Sequence, residues 1–302
     1  PQIIDFGNIK KGETLQDTEH AIQYVVNEML SFNIIPFFFG SKYFANTIFN
    51  VLSKNNSQLN VASVEPTLSL EINTDNENSY LEKIILGKNK SLYNFSNIGF
   101  QSYFVSHKEI ELIKNLNINA YRLGFARTNL LEIEPIIRDS DFLIMDIAAV
   151  KQSDAPGNQN AMPNGFYSEE ICQLAKFAGM ANRIKVAGLF EVNPDFDFND
   201  QTLKLSAQIV WHFIEGQSNW KNDQPQNDSN ENFTEFILHI SGIDEEIIFL
   251  KNNISLRWWM KIPEKFSKER GNQFVACSYN DYQKARSNEV PVRLLNYINS
   301  TC

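Results

Sequence analysis

At 302 residues, 43% of them hydrophobic, the chain is long enough to bury a full core without disulfide or metal staples. Its 36 acidic residues against 27 basic ones give a formal charge of −9, and Lys and Arg are scattered, which argues against nucleic-acid binding through a concentrated basic surface. Three cysteines at unrelated spacings, Cys172, Cys277 and Cys302, exclude a secreted disulfide framework and point to free thiols in a reducing compartment. The longest apolar run, residues 34–39, is too short to cross a bilayer and no signal-peptide pattern opens the chain. A cytoplasmic protein without membrane insertion is therefore expected. Because Pro1 stands directly before an apolar run, an upstream segment, missing or processed away, is also expected.

In chain order, residues 2–6 read as a first strand and residues 14–30 as a helix with Ile22, Val25, Val26 and Met29 on one face. A strand at 34–39, a helix at 43–52, a strand at 59–64 and a helix at 80–85 follow. Strands come next at 98–105, 120–123, 141–147 and 185–192, with helices at 168–178 and 200–215. Ser168, backed by Glu169 and Glu170, supplies a helix start. This alternation of strand and helix predicts parallel pairing in a layered α/β fold. Residues 222–232, rich in Asn, Asp, Gln and Ser, read as a solvated linker. A boundary there separates a domain at 1–216 from a linker and β-rich extension at 217–302, with antiparallel strands at 236–240, 246–250 and 256–262 and a short helix or coil from Asp281.

Several strand ends carry motifs. Asp5-Phe6-Gly7-Asn8 closes the first strand, and Pro36-Phe37-Phe38-Phe39-Gly40 the second. Phe142-Leu143-Ile144-Met145-Asp146-Ile147-Ala148 runs into Asp154-Ala155-Pro156-Gly157 and Asn164-Gly165-Phe166, and Gly188-Leu189-Phe190-Glu191-Val192-Asn193-Pro194 ends another strand. In order and spacing, over roughly residues 1–216, these resemble the strand ends of the ureohydrolases, the arginase, agmatinase and formimidoylglutamase family. In the extension, Arg257-Trp258-Trp259-Met260 and Ser278-Tyr279-Asn280-Asp281-Tyr282 look similar to the ends of a divergent, formimidoylglutamase-like branch. The resemblance implies a three-layer α/β/α domain with a mostly parallel, arginase-like sheet, carrying a small C-terminal β-rich extension.

It also implies chemistry at a pair of Mn ions held by six ligands, and most of those positions are changed here. Tyr43 falls where the first motif has His, with Lys42 before it. Glu65, Thr67 and Ser69 take the three ligand positions of the second motif. In the third, Asp146 is kept, Ala148 replaces a carboxylate, and Lys151 stands for the Asp before Pro. The four histidines are His20, His107, His212 and His239, so residues 21–106 contain none, whatever the register. Glu65 and Asp146 are the residual candidates for a weak single metal; their structural alternative is hydrogen bonding or an ion pair with Lys42 or Lys151. Glu191, with Asn193, Asp154 and Asn164, is a candidate for a substrate pocket and a small cationic ligand; the alternative for such residues is a helix cap or loop anchor. The loop at 153–165 either lines that pocket or is a long connection.

Outside the motifs, Trp258, Trp259 and Met260 read as an interface anchor or as core packing of the extension. His239 reads as a satisfied core residue and Cys172 as a buried, inert thiol. The functional expectation is a non-catalytic homologue, a pseudoenzyme without cofactor, that binds or scaffolds a protein partner or assembles as a homo-oligomer. A C–N hydrolase of amidines with a rearranged site, and a small-molecule sensor, are the alternatives.

Overall fold

The computed structural model describes residues 1–56, 58–68, 70, 80–87, 91–116, 118–225, 231–243, 245–263 and 274–299. Thr14 starts helix α1 (Leu15–Ser31) through a reciprocal cap: its hydroxyl accepts the Asp17 N–H at 3.1 Å, and the Asp17 carboxylate accepts the Thr14 N–H at 2.8 Å. Six strands, β1 (Phe37–Gly40), β2 (Leu59–Val64), β3 (Leu92–Phe100), β4 (Asn119–Arg122), β5 (Phe142–Asp146) and β6 (Val186–Phe190), form one all-parallel sheet in the order β1-β6-β5-β2-β3-β4. Every residue of β2, β5 and β6 is buried, as a sheet covered on both faces requires. Helices α1, α2 (Ala45–Asn55), α3 (Tyr80–Ile85) and α4 (His107–Asn115) pack one face, around Phe49, Leu52, Val61, Phe95 and Phe142. Helices α5 (Leu123–Thr128), α6 (Leu130–Arg138), α7 (Ser168–Gly179) and α8 (Gln201–Ser218) pack the other, around Val64, Ile98, Leu143, Met145 and Phe213. This is a three-layer α/β/α domain.

An additional antiparallel sheet, in the order β10-β9-β8-β7, follows at the C-terminus: β7 (Phe233–Leu238), β8 (Ile247–Asn252), β9 (Trp258–Lys261) and β10 (Phe274–Cys277). Helices α9 (Tyr279–Arg286) and α10 (Val292–Asn299) cover one of its faces, where Trp258, Met260 and Cys277 are buried. Trp259 points to the other face, beneath the Arg138 guanidinium of α6 at 4.3 Å. Arg138 also donates to Trp258 O and Cys277 O, each at 3.1 Å, tying the extension to the main domain. Both tryptophans serve core packing, at 8% and 3% exposure.

Several expectations need correction. Residues 1–12 form no helix or strand, and Ile3, Ile4 and Phe6 are exposed: among the described residues β1 pairs with β6 alone, so this segment adds no strand to its edge. Asp5 Oδ1 accepts the Gly7 N–H at 2.7 Å, with Gly7 at φ +72°, so the first motif is a turn rather than a strand end. β3 begins at Leu92, not at residue 98, and residues 102–104 have left the sheet as a 3-10 turn. The polar side chains Asn94, Ser96 and Asn97 conceal the strand in the sequence, yet Ser96 and Asn97 are buried. The supposed linker starts pinned rather than solvated: Asp223 is buried, accepting from Asn182 Nδ2 at 2.7 Å and pairing with Arg257 at 3.4 Å; residues 226–230 lie outside the described residues. His239 lies beyond the end of β7, exposed and 3.6 Å from Glu246, so it is no core histidine. Cys172 is buried on α7, and burial pushes its thiol up to about 11, which fits an inert role.

Candidate functional site

The strands β1, β6, β5 and β2 are neighbours, and their carboxyl ends bring Lys42, Glu191, Asp146 and Glu65 to one place. Ligands in open parallel sheets bind at such strand ends. Lys42 Nζ lies 2.7 Å from Asp146 Oδ2 and 3.6 Å from Glu65 Oε2, and the two carboxylates are almost wholly buried while the lysine side chain is 20% exposed. The second oxygen of Asp146 accepts the Ala148 N–H at 2.8 Å, and Glu65 Oε1 accepts the Tyr80 hydroxyl at 2.5 Å. Glu191 sits at φ 65°, a strained conformation for a side-chain-bearing residue, held by its own N–H to Gly40 O at 2.9 Å. Its carboxylate accepts the Lys42 backbone N–H at 2.7 Å and the Ser41 hydroxyl at 3.1 Å. Glu191 therefore anchors the turn that delivers Lys42.

Burial alone would discharge Lys42, but Asp146 and Glu65 outweigh it and hold the ammonium above the ordinary lysine value. For Glu65, burial pushes the carboxyl up, against the pull of Lys42 and of the Tyr80 hydrogen bond. Burial, reinforced by Glu65, raises the Tyr80 phenol well above its usual value, so it is a neutral donor. The cluster is one protonated lysine shared by two buried carboxyl groups.

The remaining candidates have separate roles. Tyr43 turns its ring edge to Phe44, with centroids 5.3 Å apart, and Lys83 lies 4.7 Å over it. The Thr67 carbonyl accepts from Asn97 Nδ2 at 3.4 Å, Ala148 is buried, and Ser69 lies outside the described residues. Lys151 pairs with Asp154 at 3.4 Å and stacks 3.8 Å over the Tyr167 ring, away from the carboxylate pair. Asp154 Oδ2 accepts the Ser168 N–H at 3.0 Å and its hydroxyl at 2.9 Å, a cap on α7. Asn193 Oδ1 accepts the Asp195 N–H at 3.0 Å, and Asn164 bridges Tyr103 and Gln101. Of the four pocket candidates, only Glu191 touches the turn that carries Lys42. Tyr80 and Ser41 complete the cluster but leave no mark in the sequence: Tyr80 is 15 residues from Glu65 in no recognisable spacing.

Among the described residues no three His, Cys, Asp or Glu side chains converge to hold a metal. The donors that do converge, Glu65 and Asp146, meet on an ammonium, which repels a dication at that distance. As arranged, this set does not fit a pair of divalent ions.

Residues 79–215 match the arginase family model. Formimidoylglutamase of Bacillus subtilis strain 168 is 26% identical over 127 residues, 39% of this chain, and the chain spans only 40% of that relative's length. The solved structure of formimidoylglutamase from B. subtilis matches with a TM-score of 0.63 at 18% identity, covering 72% of each chain. That of Trypanosoma cruzi formiminoglutamase with Mn²⁺ matches with a TM-score of 0.65 at 15% identity, over 70% of this chain and 74% of the other. Fold and sequence together define an arginase-type α/β protein. Within that fold, residues 79–215 carry the similarity to the arginase family, and the relatives of similar sequence are formimidoylglutamases. No helix among the described residues is long and apolar enough to cross a membrane.

Proposed function

We propose that in this chain the Lys42 ammonium takes the place of the metal pair, and that the protein acts without catalysis, as a binding or scaffold protein for a protein partner or for further copies of itself. The observation that carries this reading is the lysine shared between Asp146 and Glu65 at 2.7 and 3.6 Å. A tethered cation satisfies two buried carboxylates with no ion from solution. Elemental analysis of protein purified without chelator, then incubated with Mn²⁺, is expected to give far less than one ion per chain. Lys42→Ala, which vacates the cation position, is expected to acquire a Mn²⁺-dependent rise in Tm that the native chain lacks. One or two tightly held ions in the native chain would overturn the proposal.

A second reading is favoured by the convergence of Glu65 and Asp146 on one point, together with the formimidoylglutamase relatives. In it the chain is a C–N hydrolase of amidines with a rearranged site, and Glu191 orients a small cationic substrate. Release of formamide or urea from a panel of formimidoyl and guanidino compounds, abolished by Asp146→Ala, would establish it. Absence of turnover with every metal tried would remove it.

A further inference from the structure

A second polar site lies at the opposite end of the sheet. Between the amino ends of β2, β3 and β4, the end of α6, β10 and α10 there is a cavity of about 80 Å³, room for several waters or one small organic molecule. Its sheet wall carries Asn60, Asn94, Ser96 and Asn119, where a covered parallel sheet ordinarily presents branched apolar side chains. The amides are wired together: Asn296 Nδ2 donates to Asn119 Oδ1 at 2.5 Å, Asn119 Nδ2 to Asn94 Oδ1 at 2.8 Å, and Asn94 Nδ2 to Ser96 Oγ at 3.4 Å. Asn60, 4% exposed, spends its amide N–H on Asp139 O, and its Oδ1 is buried with no hydrogen-bond partner among the described residues.

Asp139 lines this cavity; Arg183 is its strongest electrostatic partner, but the hydrogen bonds of the arginines near it go to other groups. Arg183 donates to Asp141 at 2.9 Å, Arg138 to Trp258 O and Cys277 O, and Arg293 to Asp281 at 2.7 Å and Glu132 O at 2.6 Å. Pro135, Ile136 and Val275 give the cavity an apolar side. One carboxylate, acceptor amides and a short apolar wall suit a ligand with N–H donors on a positive head and a few carbons behind it.

We propose that this cavity is a binding site for a small primary alkylammonium ion, its head on Asp139 and the asparagine wall and its alkyl group against Pro135, Ile136 and Val275. Burial pushes the Asp139 carboxyl up to about 6 against the pull of Arg183, Arg138 and Arg293 and with the push of Asp141, and a bound cation would relieve that cost. The site is separate from the Lys42 cluster and independent of the function proposed for it.

Ethylammonium titrated into the full chain, followed by calorimetry and ligand-observed NMR, is the test. Binding is expected with a Kd on the order of 1 mM, the range open to so small a ligand. Affinity should fall about tenfold from pH 7 to pH 5 as Asp139 is neutralised, since ethylammonium and the flanking arginines keep their charge there. Tetramethylammonium, which has no N–H, should not compete, and Asp139→Asn should abolish binding while Lys42→Ala leaves it intact. No binding in the native chain, equal binding to Asp139→Asn, equal competition by tetramethylammonium, or a flat pH profile would each overturn the proposal.

Discussion

The two ends of the parallel sheet handle buried carboxylates in opposite ways. At the carboxyl ends, Glu65 and Asp146 are matched by Lys42, Tyr80 and a backbone N–H, so the charge is answered from within the chain. At the amino ends, Asp139 sits among arginines whose hydrogen bonds go to other groups; burial displaces its carboxyl upward, as it does that of Glu65, but no lysine or hydroxyl of the kind that faces Glu65 faces it among the described contacts. A buried ion is less costly when its partner is built in than when it is left without one. The first arrangement closes a site and the second leaves one open to a cation from solution.

The sharpest way to break the comparison is to remove the internal cation. Lys42→Met leaves two buried carboxylates facing each other, and a loss of about 3–5 kcal/mol is expected in urea denaturation at pH 8. Because Lys42 opposes the upward shift of Glu65, its removal lets the carboxyls take protons more readily, so the loss should be smaller at pH 5. A loss below about 1 kcal/mol, or one independent of pH, would mean that the cluster is no tighter than a surface ion pair. The next effect has the opposite sign. Asp139 is raised to about 6 in the fold from the usual 3.8, so its charged form is disfavoured by folding. That penalty is fully present above about pH 6 and fades as pH falls towards 3.8. Asp139→Asn is therefore expected to stabilise the chain at pH 8 by up to about 3 kcal/mol, less where solvent reaches the carboxylate, and to do almost nothing at pH 4. Equal effects at both pH values would show that the amino-end carboxylate is not under strain.

How far the sequence reveals each region follows from the same physics. The bounds of β2 and α3 are legible to the residue, since Leu59, Val61, Ala62 and Val64 make a short apolar run and Tyr80, Leu81 and Ile84 a helical apolar stripe. Lys42, Glu65 and Asp146 are legible as strand-end residues through the motifs that resemble the ureohydrolases, although their mutual distances are not. The start of β3 is hidden by the asparagines and serine that line the amino-end cavity, so the feature that makes the cavity polar also masks the strand. Helices α4, α5 and α6 are short, and Pro135 inside α6 breaks its helical reading. The apolar run at residues 2–6 reads as a strand because periodicity cannot show whether a partner strand exists.

Two smaller effects sharpen the picture of the closed end. Tyr80→Phe removes the hydroxyl from Glu65 and leaves a fully buried carboxylate oxygen without that donor, at an expected cost of about 2 kcal/mol, measurable by the same denaturation. Asp154→Ala is the smallest and separates a pocket residue from a cap. Asp154 accepts two hydrogen bonds from Ser168 at the start of α7, and although burial pushes its carboxyl up, those bonds and Lys151 hold it below the ordinary value. Such a group stabilises the fold above its unfolded pKa and loses that contribution as pH falls through the folded one. A cap therefore predicts that Asp154→Ala costs about 1 kcal/mol at pH 7 and that the difference from the native chain vanishes in acid. A pocket residue predicts unchanged stability and an altered response to cationic ligands at the carboxyl end of the sheet. Since the Asp154 contacts point to α7 while Lys42 and Glu191 complete the closed end without it, the first outcome is expected.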